Sequence, residues 1–66
     1  MAILENETKV SVIIDYVPHT GTVVSSTLYG VQGLKYTINL DTPIPYGWNL
    51  ELRTEFVIEE KFVKGI

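Results

Sequence analysis

The single histidine of the chain, His19, lies beside two threonines and four residues after Asp15. Histidine, hydroxyl and carboxylate are the side chains of nucleophilic catalysis, in which the histidine acts as the base. Neighbours in the sequence do not form such a triad by themselves, because the three groups must also meet in space. Pro18 before His19 and Gly21 after it are typical of a turn, in which Gly21 would take a positive φ. The stretch therefore predicts a hairpin corner at His19 and no catalytic residue.

Other catalytic and metal-binding chemistry finds little support in the sequence. The chain has no cysteine and one histidine, and it has no Asp-rich calcium loop. The carboxylate pairs Glu59–Glu60 and Glu51–Glu55 have the residue type of a glycosidase, but so small a domain offers no deep cleft to raise one pKa. The turn Gly30–Gly33, "GVQG", lacks the lysine of a phosphate-binding loop. We expect no enzyme activity, cofactor, metal or small-molecule substrate.

The aromatic side chains are the more suggestive group. Tyr46 and Trp48 flank Gly47 in the stretch "IPYGW", and Tyr29 ends another apolar segment. Tyr and Trp are favoured at protein interfaces because a rigid ring supplies contact area at a low cost in conformational entropy. The predicted partner-binding residues are Ile44, Tyr46 and Trp48, together with Tyr29 in a turn expected to lie nearby. Two alternatives stay open: Trp48 plugs one end of the core while Tyr46 packs on the prolines, or the rings stack on single-stranded nucleic acid.

Size and charge narrow the classes of protein to which the chain can belong. Its 66 residues make one domain with a thin core, and its net charge is −3. A mildly acidic chain is poorly suited to a phosphate backbone, which is bound by Lys and Arg. The opening "MAILENET" lacks the basic start and long apolar run of a signal peptide, and no apolar run is long enough for a membrane span. With no cysteines to form disulfides, we expect a cytoplasmic protein without membrane contact.

The elements that must position these residues are predicted to be β-strands almost throughout. Lys9–Val17 is rich in β-branched residues. Its even positions, Val10 to Tyr16, form a clean apolar face, whereas Ile13 and Val17 lie on the mixed face. Leu34–Asp41 alternates apolar and polar residues strictly, which predicts a half-buried strand with Leu34, Tyr36, Ile38 and Leu40 inward.

The remaining segments are less regular. The register of Thr22–Tyr29 is ambiguous: either Val24 and Leu28 face inward, or Val23 does so with a bulge. Pro43 and Pro45 cannot donate to a ladder, so strand pairing is expected to stop there. From Trp48 onward, alternation resumes, and the β-branched pair Val57–Ile58 favours a strand over a helix near the carboxyl end.

The order of these segments resembles the SH3-like barrel, in particular KOW-type barrels and the small SH3-like protein of the photosystem I reaction centre. The resemblance spans about Lys9 to Glu60 and depends on an apolar first strand, then "GTVV", "YTINLD" and a closing "FVIEE". It implies an all-β, five-stranded barrel with a short 3₁₀ turn at most, in which Gly21 makes a bend and Val23 points inward. The ALYDY-like stretch and paired tryptophan of peptide-binding SH3 domains are absent, so no functional residue carries over.

These observations predict an N-terminal arm at residues 1–8 and a single barrel domain at residues 9–64. We expect a non-enzymatic protein-interaction module: a small accessory or regulatory protein, or a small subunit of a complex, of a size found among phage- and plasmid-encoded proteins. It would bind a protein partner or associate with itself, using the mixed face of the first strand. The alternative is a nucleic-acid-binding KOW- or OB-like barrel that uses the cations Lys35, Arg53, Lys61 and Lys64. An oligomeric reductase built from four barrels is a third class, but no pore motif is present.

Overall fold

A computed structural model describes residues 3–66, so Met1 and Ala2 of the predicted arm lie outside the described residues. The chain forms five β-strands and two short 3₁₀ turns, and the described part contains no α-helix. The strands are β1 (Lys9–Ile14), β2 (Val17–Leu28), β3 (Leu34–Tyr46), β4 (Glu51–Glu59) and β5 (Val63–Gly65). The 3₁₀ turns are Gly30–Gln32 and Glu60–Phe62. The all-β prediction and its strand number are confirmed.

All strand pairs are antiparallel and give the sheet order β4-β3-β2-β1-β5. This arrangement is compatible with an SH3-like fold. The predicted closed barrel is wrong in one respect, because the end strands β4 and β5 are not paired in the described chain. β5 has only three residues, and all of them pair with β1. The sheet is therefore open along the line between β4 and β5.

One apolar cluster from four strands forms the core. Its buried members are Val10, Val12, Ile14, Val23, Tyr36, Ile38, Leu40, Phe56 and Ile58. The predicted alternation of β1 and β3 is confirmed at Ile14 and Ile38, among others, while Leu34 is only half-buried. Val23 faces inward and a register shift follows it before Ser25, so the bulged register of this segment is the correct one.

The first hairpin turns earlier than the sequence predicts. Ile14 pairs with Val17, and the two residues between them, Asp15 and Tyr16, have φ values of 49° and 67°. Positive φ at both central residues is the geometry of the tight turn that matches strand twist. His19 consequently lies within β2, opposite Val12, and the predicted corner at His19 is wrong. Tyr16, predicted to face inward, is fully exposed in the turn.

Gly21 has a packing role rather than a turn role. It pairs with both Val10 of β1 and Leu40 of β3 at the centre of the sheet. A Cβ atom built on Gly21 would lie 2.7 Å from the Asn39 carbonyl oxygen and 2.9 Å from Ile38 Cγ2. The prediction of a positive φ at Gly21 is wrong. The glycine is required because the backbone of β3 passes too close to Gly21 of β2 to leave room for a side chain.

β3 continues through both prolines. The predicted stop in pairing is confirmed at Pro43, which has no partner on β4, and is wrong at Pro45. The register of β3 with β4 shifts between Asn39 and Ile44, after which pairing resumes and includes Pro45 opposite Leu52. β2 pairs with β3 only up to Leu40. Pro43 thus lies in an unpaired stretch, and Pro45 lies where β3 has a partner on one side only. Both are places where a strand tolerates a residue without an N–H.

An exposed carboxylate near Gly21 links β1, β2 and β3. Asp41 of β3 accepts hydrogen bonds from Lys9 Nζ of β1 at 2.8 Å and from Thr20 Oγ1 of β2 at 2.9 Å. The bond from Lys9, and then that from Thr20, hold the pKa of Asp41 below its ordinary value. The ionised carboxylate therefore favours the folded state.

Candidate partner-binding surface

The tip of the β3–β4 hairpin presents bare apolar side chains. Gly47 and Leu50 close it through a hydrogen bond of 3.2 Å from the Leu50 N–H to the Gly47 carbonyl. Trp48 is 96% exposed, Leu50 is 68% exposed, and Leu52 next to the tip is 71% exposed. The alternative in which Trp48 plugs the core is wrong, because the hairpin extends past the last buried residues of β3 and β4. We call Trp48, Leu50 and Leu52 the hairpin tip.

Tyr46 connects the hairpin tip to the core. Its ring stands edge-on to that of buried Phe56, with centroids 5.0 Å apart and an interplanar angle of 89°. The guanidinium of Arg53 lies 5.6 Å from the Tyr46 ring and 5.0 Å from the Phe56 ring. Both distances are within the range of cation–π attraction. Tyr46 is therefore a fixed, partly exposed ring, held by Phe56 and Arg53.

Of the other two predicted partner-binding residues, Ile44 lies near Tyr46 on β3 and Tyr29 lies apart from it. Ile44 is half-buried and packs against the core. Tyr29 lies beside the 3₁₀ turn that precedes β3, whereas Tyr46 ends β3. Thirteen residues of strand separate these ends, and at about 3.3 Å per residue they are too far apart for one contact patch. The structure brings Ile44, Tyr46 and Trp48 together and leaves Tyr29 apart.

A groove runs along the open side of the sheet, and we call it the seam. It occupies about 230 Å³ between β4 and the first hairpin. Its exposed apolar walls are Ile13, Tyr46, Val57 and Phe62. Asp15 and Glu59 also line it. The seam places Ile13 of the mixed face and Tyr46 of the predicted site along one continuous depression.

Strained apolar residues lie at two turns near the seam. Tyr16 is 98% exposed with a φ of 67°, and it borders an extension of the seam formed with Ile13 and Phe62. Leu50 in the hairpin tip has a φ of 53°. Glycine, Asn and Asp adopt this conformation at lower cost than a bulky side chain. Neither side chain gains burial in return, so neither is explained by the stability of this chain alone.

Sequence reasoning misses Tyr16, Phe62 and Arg53 as members of this surface. The alternation of β1 places Tyr16 on the inward face, and the turn that exposes it carries no glycine or asparagine. The charge of Arg53 suggests only a phosphate-binding cation. The signal that could have indicated this surface is the mixed face of the first strand, where the apolar side chain of Ile13 has no predicted packing partner.

Three of the cations within residues 3–66 lie over aromatic rings. Lys35 Nζ is 5.2 Å from the Tyr29 ring, Lys61 Nζ is 5.2 Å from the Phe62 ring, and Arg53 lies over Tyr46 and Phe56.

Acidic groups lie beside two of these cations. Lys61 Nζ is 3.5 Å from Glu59 Oε2, and Lys35 is the cross-strand neighbour of the same Glu59 in the register of β3 and β4. Lys9 is bound by Asp41, and Arg53 covers two rings. Acidic and basic side chains therefore alternate over this part of the surface.

Comparisons with known proteins give no relative for this chain: no family model, no curated protein and no solved structure matches it significantly. The fold and the geometry of the surface are thus the basis for assigning a function. Within residues 3–66, no helix is long and apolar enough to cross a membrane.

Proposed function

We propose that this protein is a non-enzymatic interaction module that binds a partner protein through the hairpin tip and the adjoining seam. In this proposal it acts as a small accessory or regulatory protein, or as a small subunit of a larger complex. The observation that carries the proposal is the hairpin tip, where Trp48 is 96% exposed beside two exposed leucines.

The chemistry of the hairpin tip fits a protein partner. Tryptophan and tyrosine dominate binding energy at protein interfaces when a partner desolvates them. Here Trp48 stands on a paired hairpin and Tyr46 is held against Phe56, so little ordering entropy would be lost on binding. Exposed apolar side chains grouped on one hairpin are a feature of protein-binding sites.

Charge supports a protein partner over nucleic acid. The alternative given in the sequence analysis is a KOW- or OB-like barrel that binds nucleic acid. Such a barrel needs cations clustered beside its stacking rings. In this chain Lys35, Lys61 and Arg53 lie over three separate rings, those of Tyr29, Phe62 and Tyr46. Lys61 is also paired with Glu59, and the net charge is −3. The nucleic-acid alternative is therefore the weaker proposal.

The test is co-purification from the native host with wild-type protein and the variant Trp48→Ser. We expect the wild type to retain a partner protein and the variant to lose it, with an affinity decrease on the order of 2 kcal/mol once the partner is isolated. Because Trp48 is exposed, the melting temperature of the variant should stay close to that of the wild type.

Val31→Ser is the matched control, since Val31 is also fully exposed but lies in the 3₁₀ turn at the other end of β3. It should leave partner binding unchanged. Equal retention of the partner by wild type and Trp48→Ser would contradict the proposal. Retention of nucleic acid in place of protein would favour the alternative.

A further inference from the structure

We propose that the seam receives an extended, basic segment of the partner protein, which pairs with the free edge of β4 as a sixth strand. This inference rests on the proposed function and specifies the chemistry of the partner at one part of the surface. Three properties of the seam support it: its backbone, its walls and its charge.

The backbone of β4 is available on the side facing the seam. β4 pairs with β3, and among residues 3–66 no backbone hydrogen bond joins it to another element. The guanidinium of Arg53 donates to the backbone carbonyl of Glu55 at 3.2 Å, so an added strand would share or displace this one contact. An edge strand presents alternating free N–H and C=O groups, which are a template for an added strand.

The walls of the seam define which side chains such a strand would carry on its inner face. Phe56 and Ile58 point from β4 toward the core, and exposed Ile13 and Phe62 border the groove opposite them. Because side chains alternate along a strand, every second residue of the added segment would point into this apolar groove. Medium-sized apolar side chains suit those positions.

The outer face of β4 defines the charge that the added strand should carry. Glu55, Val57 and Glu59 share this face, all exposed. Their cross-strand neighbours on β3 are Asn39, Thr37 and Lys35 in that order. An added antiparallel strand would place its residues directly opposite the two glutamates, at about 5 Å between Cβ atoms, where opposite charges attract and like charges repel. Asp15 adds a third acidic group to the seam.

The same charges also limit how a second copy of the chain could occupy this edge. Two β4 strands paired about a central Glu55 would bring Glu55 opposite Glu55 and Glu51 opposite Glu59. Shifting that axis to Arg53 would place Arg53 opposite Arg53 and Glu51 opposite Glu55. Both arrangements oppose like charges, as is common in edge strands protected against self-pairing. An axis at Thr54 would instead place Arg53 opposite Glu55, so a β4–β4 dimer is the competing outcome that the test below distinguishes. The complementary occupant has Lys or Arg at two outward positions with an apolar residue between them.

The test is an NMR titration of the whole chain with the capped peptide STKVVVKTS, whose two lysines match the two glutamates. We expect saturable shifts of the β4 amides. An acidic peptide, STEVVVETS, should bind at least about tenfold more weakly, because both charge pairs become repulsive. Two versions of the basic peptide, N-methylated at alternate residues, separate strand pairing from charge attraction. Only the version that blocks the N–H groups facing β4 should fail to bind.

Charge reversal in the protein provides the reciprocal measurement. The double variant Glu55→Lys with Glu59→Lys should prefer the acidic peptide. The control Glu5→Lys changes an exposed acid before β1 and should behave like the wild type. Equal affinity for the two peptides, insensitivity to both N-methylation patterns, or protection of the β4 amides in a peptide-free dimer would each overturn the inference. Loss of peptide binding while Trp48-dependent partner binding persists would refute this inference and leave the proposed function intact.

Discussion

Tyr16 and Leu50 combine a costly backbone conformation with an exposed apolar side chain. A two-residue turn of this kind strongly favours Asp-Gly or Asn-Gly, and the chain has Asp15-Tyr16 instead. The ring of Tyr16 has no core contact to compensate for the strain. A residue that is unfavourable for folding and exposed to solvent is best explained by a contact that forms only when a partner is bound.

Replacing Tyr16 by glycine should therefore stabilise the protein and weaken partner binding. Relief of the left-handed conformation should raise the free energy of unfolding by about 1 kcal/mol, measured by urea denaturation. Tyr16→Ala is the control: it removes the ring and keeps the strained φ, so it should weaken binding without the gain in stability. A glycine variant less stable than the wild type would contradict the argument.

The lowered pKa of Asp41 predicts that the stability of the protein depends on pH. Its pKa in the folded state is lowered by the hydrogen bonds from Lys9 and Thr20, so its carboxylate stabilises the fold above the unfolded value of 3.8. This contribution is lost as the pH falls through the lower folded pKa. We expect Asp41→Asn to have a lower melting temperature than the wild type at neutral pH, and the difference to shrink on acidification below 3.8. A difference that is constant with pH would show that the charge of Asp41 does not matter.

At the scale of elements, the sequence predicts strands better than it predicts their ends. The alternation in Leu34–Asp41 and the inward positions of β1 are confirmed because burial on one face of a strand imposes a period of two. The sequence places the first turn at Pro18 because proline and glycine are common in turns. The chain instead turns at Asp15-Tyr16, where Asp15 suits a positive φ but Tyr16, in the position usually held by glycine, does not indicate a turn.

The candidate site was predictable in part for the same physical reason. The residue types identify Tyr46 and Trp48, which lie on one hairpin. Their environment depends on where β3 ends, and that depends on whether pairing survives Pro43 and Pro45. Pairing with β4 lapses before Pro43 and resumes at Ile44, where β2 no longer flanks β3. This is a tertiary fact that the local sequence does not contain. The seam is likewise a product of strand order.

The close approach of β2 and β3 at Gly21 predicts that Gly21→Ala is destabilising. The new methyl group would lie 2.7 Å from the Asn39 carbonyl oxygen, so the strands would have to separate, at a cost of about 1–3 kcal/mol. Gly65→Ala in β5 is the control, because its Cβ would meet Leu4 Cδ2 at an ordinary 3.6 Å. Urea denaturation of both variants measures the difference. Equal stability of the two would mean that the close approach at Gly21 is not required.

At the scale of the whole molecule, stability and binding draw on the same limited set of apolar residues. Within residues 3–66, nine buried side chains form the core, while the hairpin tip and several residues that line the seam remain exposed. Stabilities of natural domains scale to about 0.05–0.15 kcal/mol per residue, or roughly 3–10 kcal/mol for a chain of this size. A core this small leaves little margin, so occupation of the seam by a partner would add stability as well as affinity.

The size of that margin is tested at Ile38, which is fully buried at the centre of the core. Ile38→Ala should lower the free energy of unfolding by about 2–5 kcal/mol, because the removed atoms leave a cavity. That is a large fraction of the total, so the variant should be substantially unfolded at physiological temperature by circular dichroism. Ile38→Val, at a cost of about 0.5–1.5 kcal/mol, should remain folded. If Ile38→Ala also remained folded with a melting temperature equal to that of Ile38→Val, the core would not be the main source of stability. If a seam-binding peptide restored the fold of Ile38→Ala, binding and folding would be coupled as the open sheet suggests.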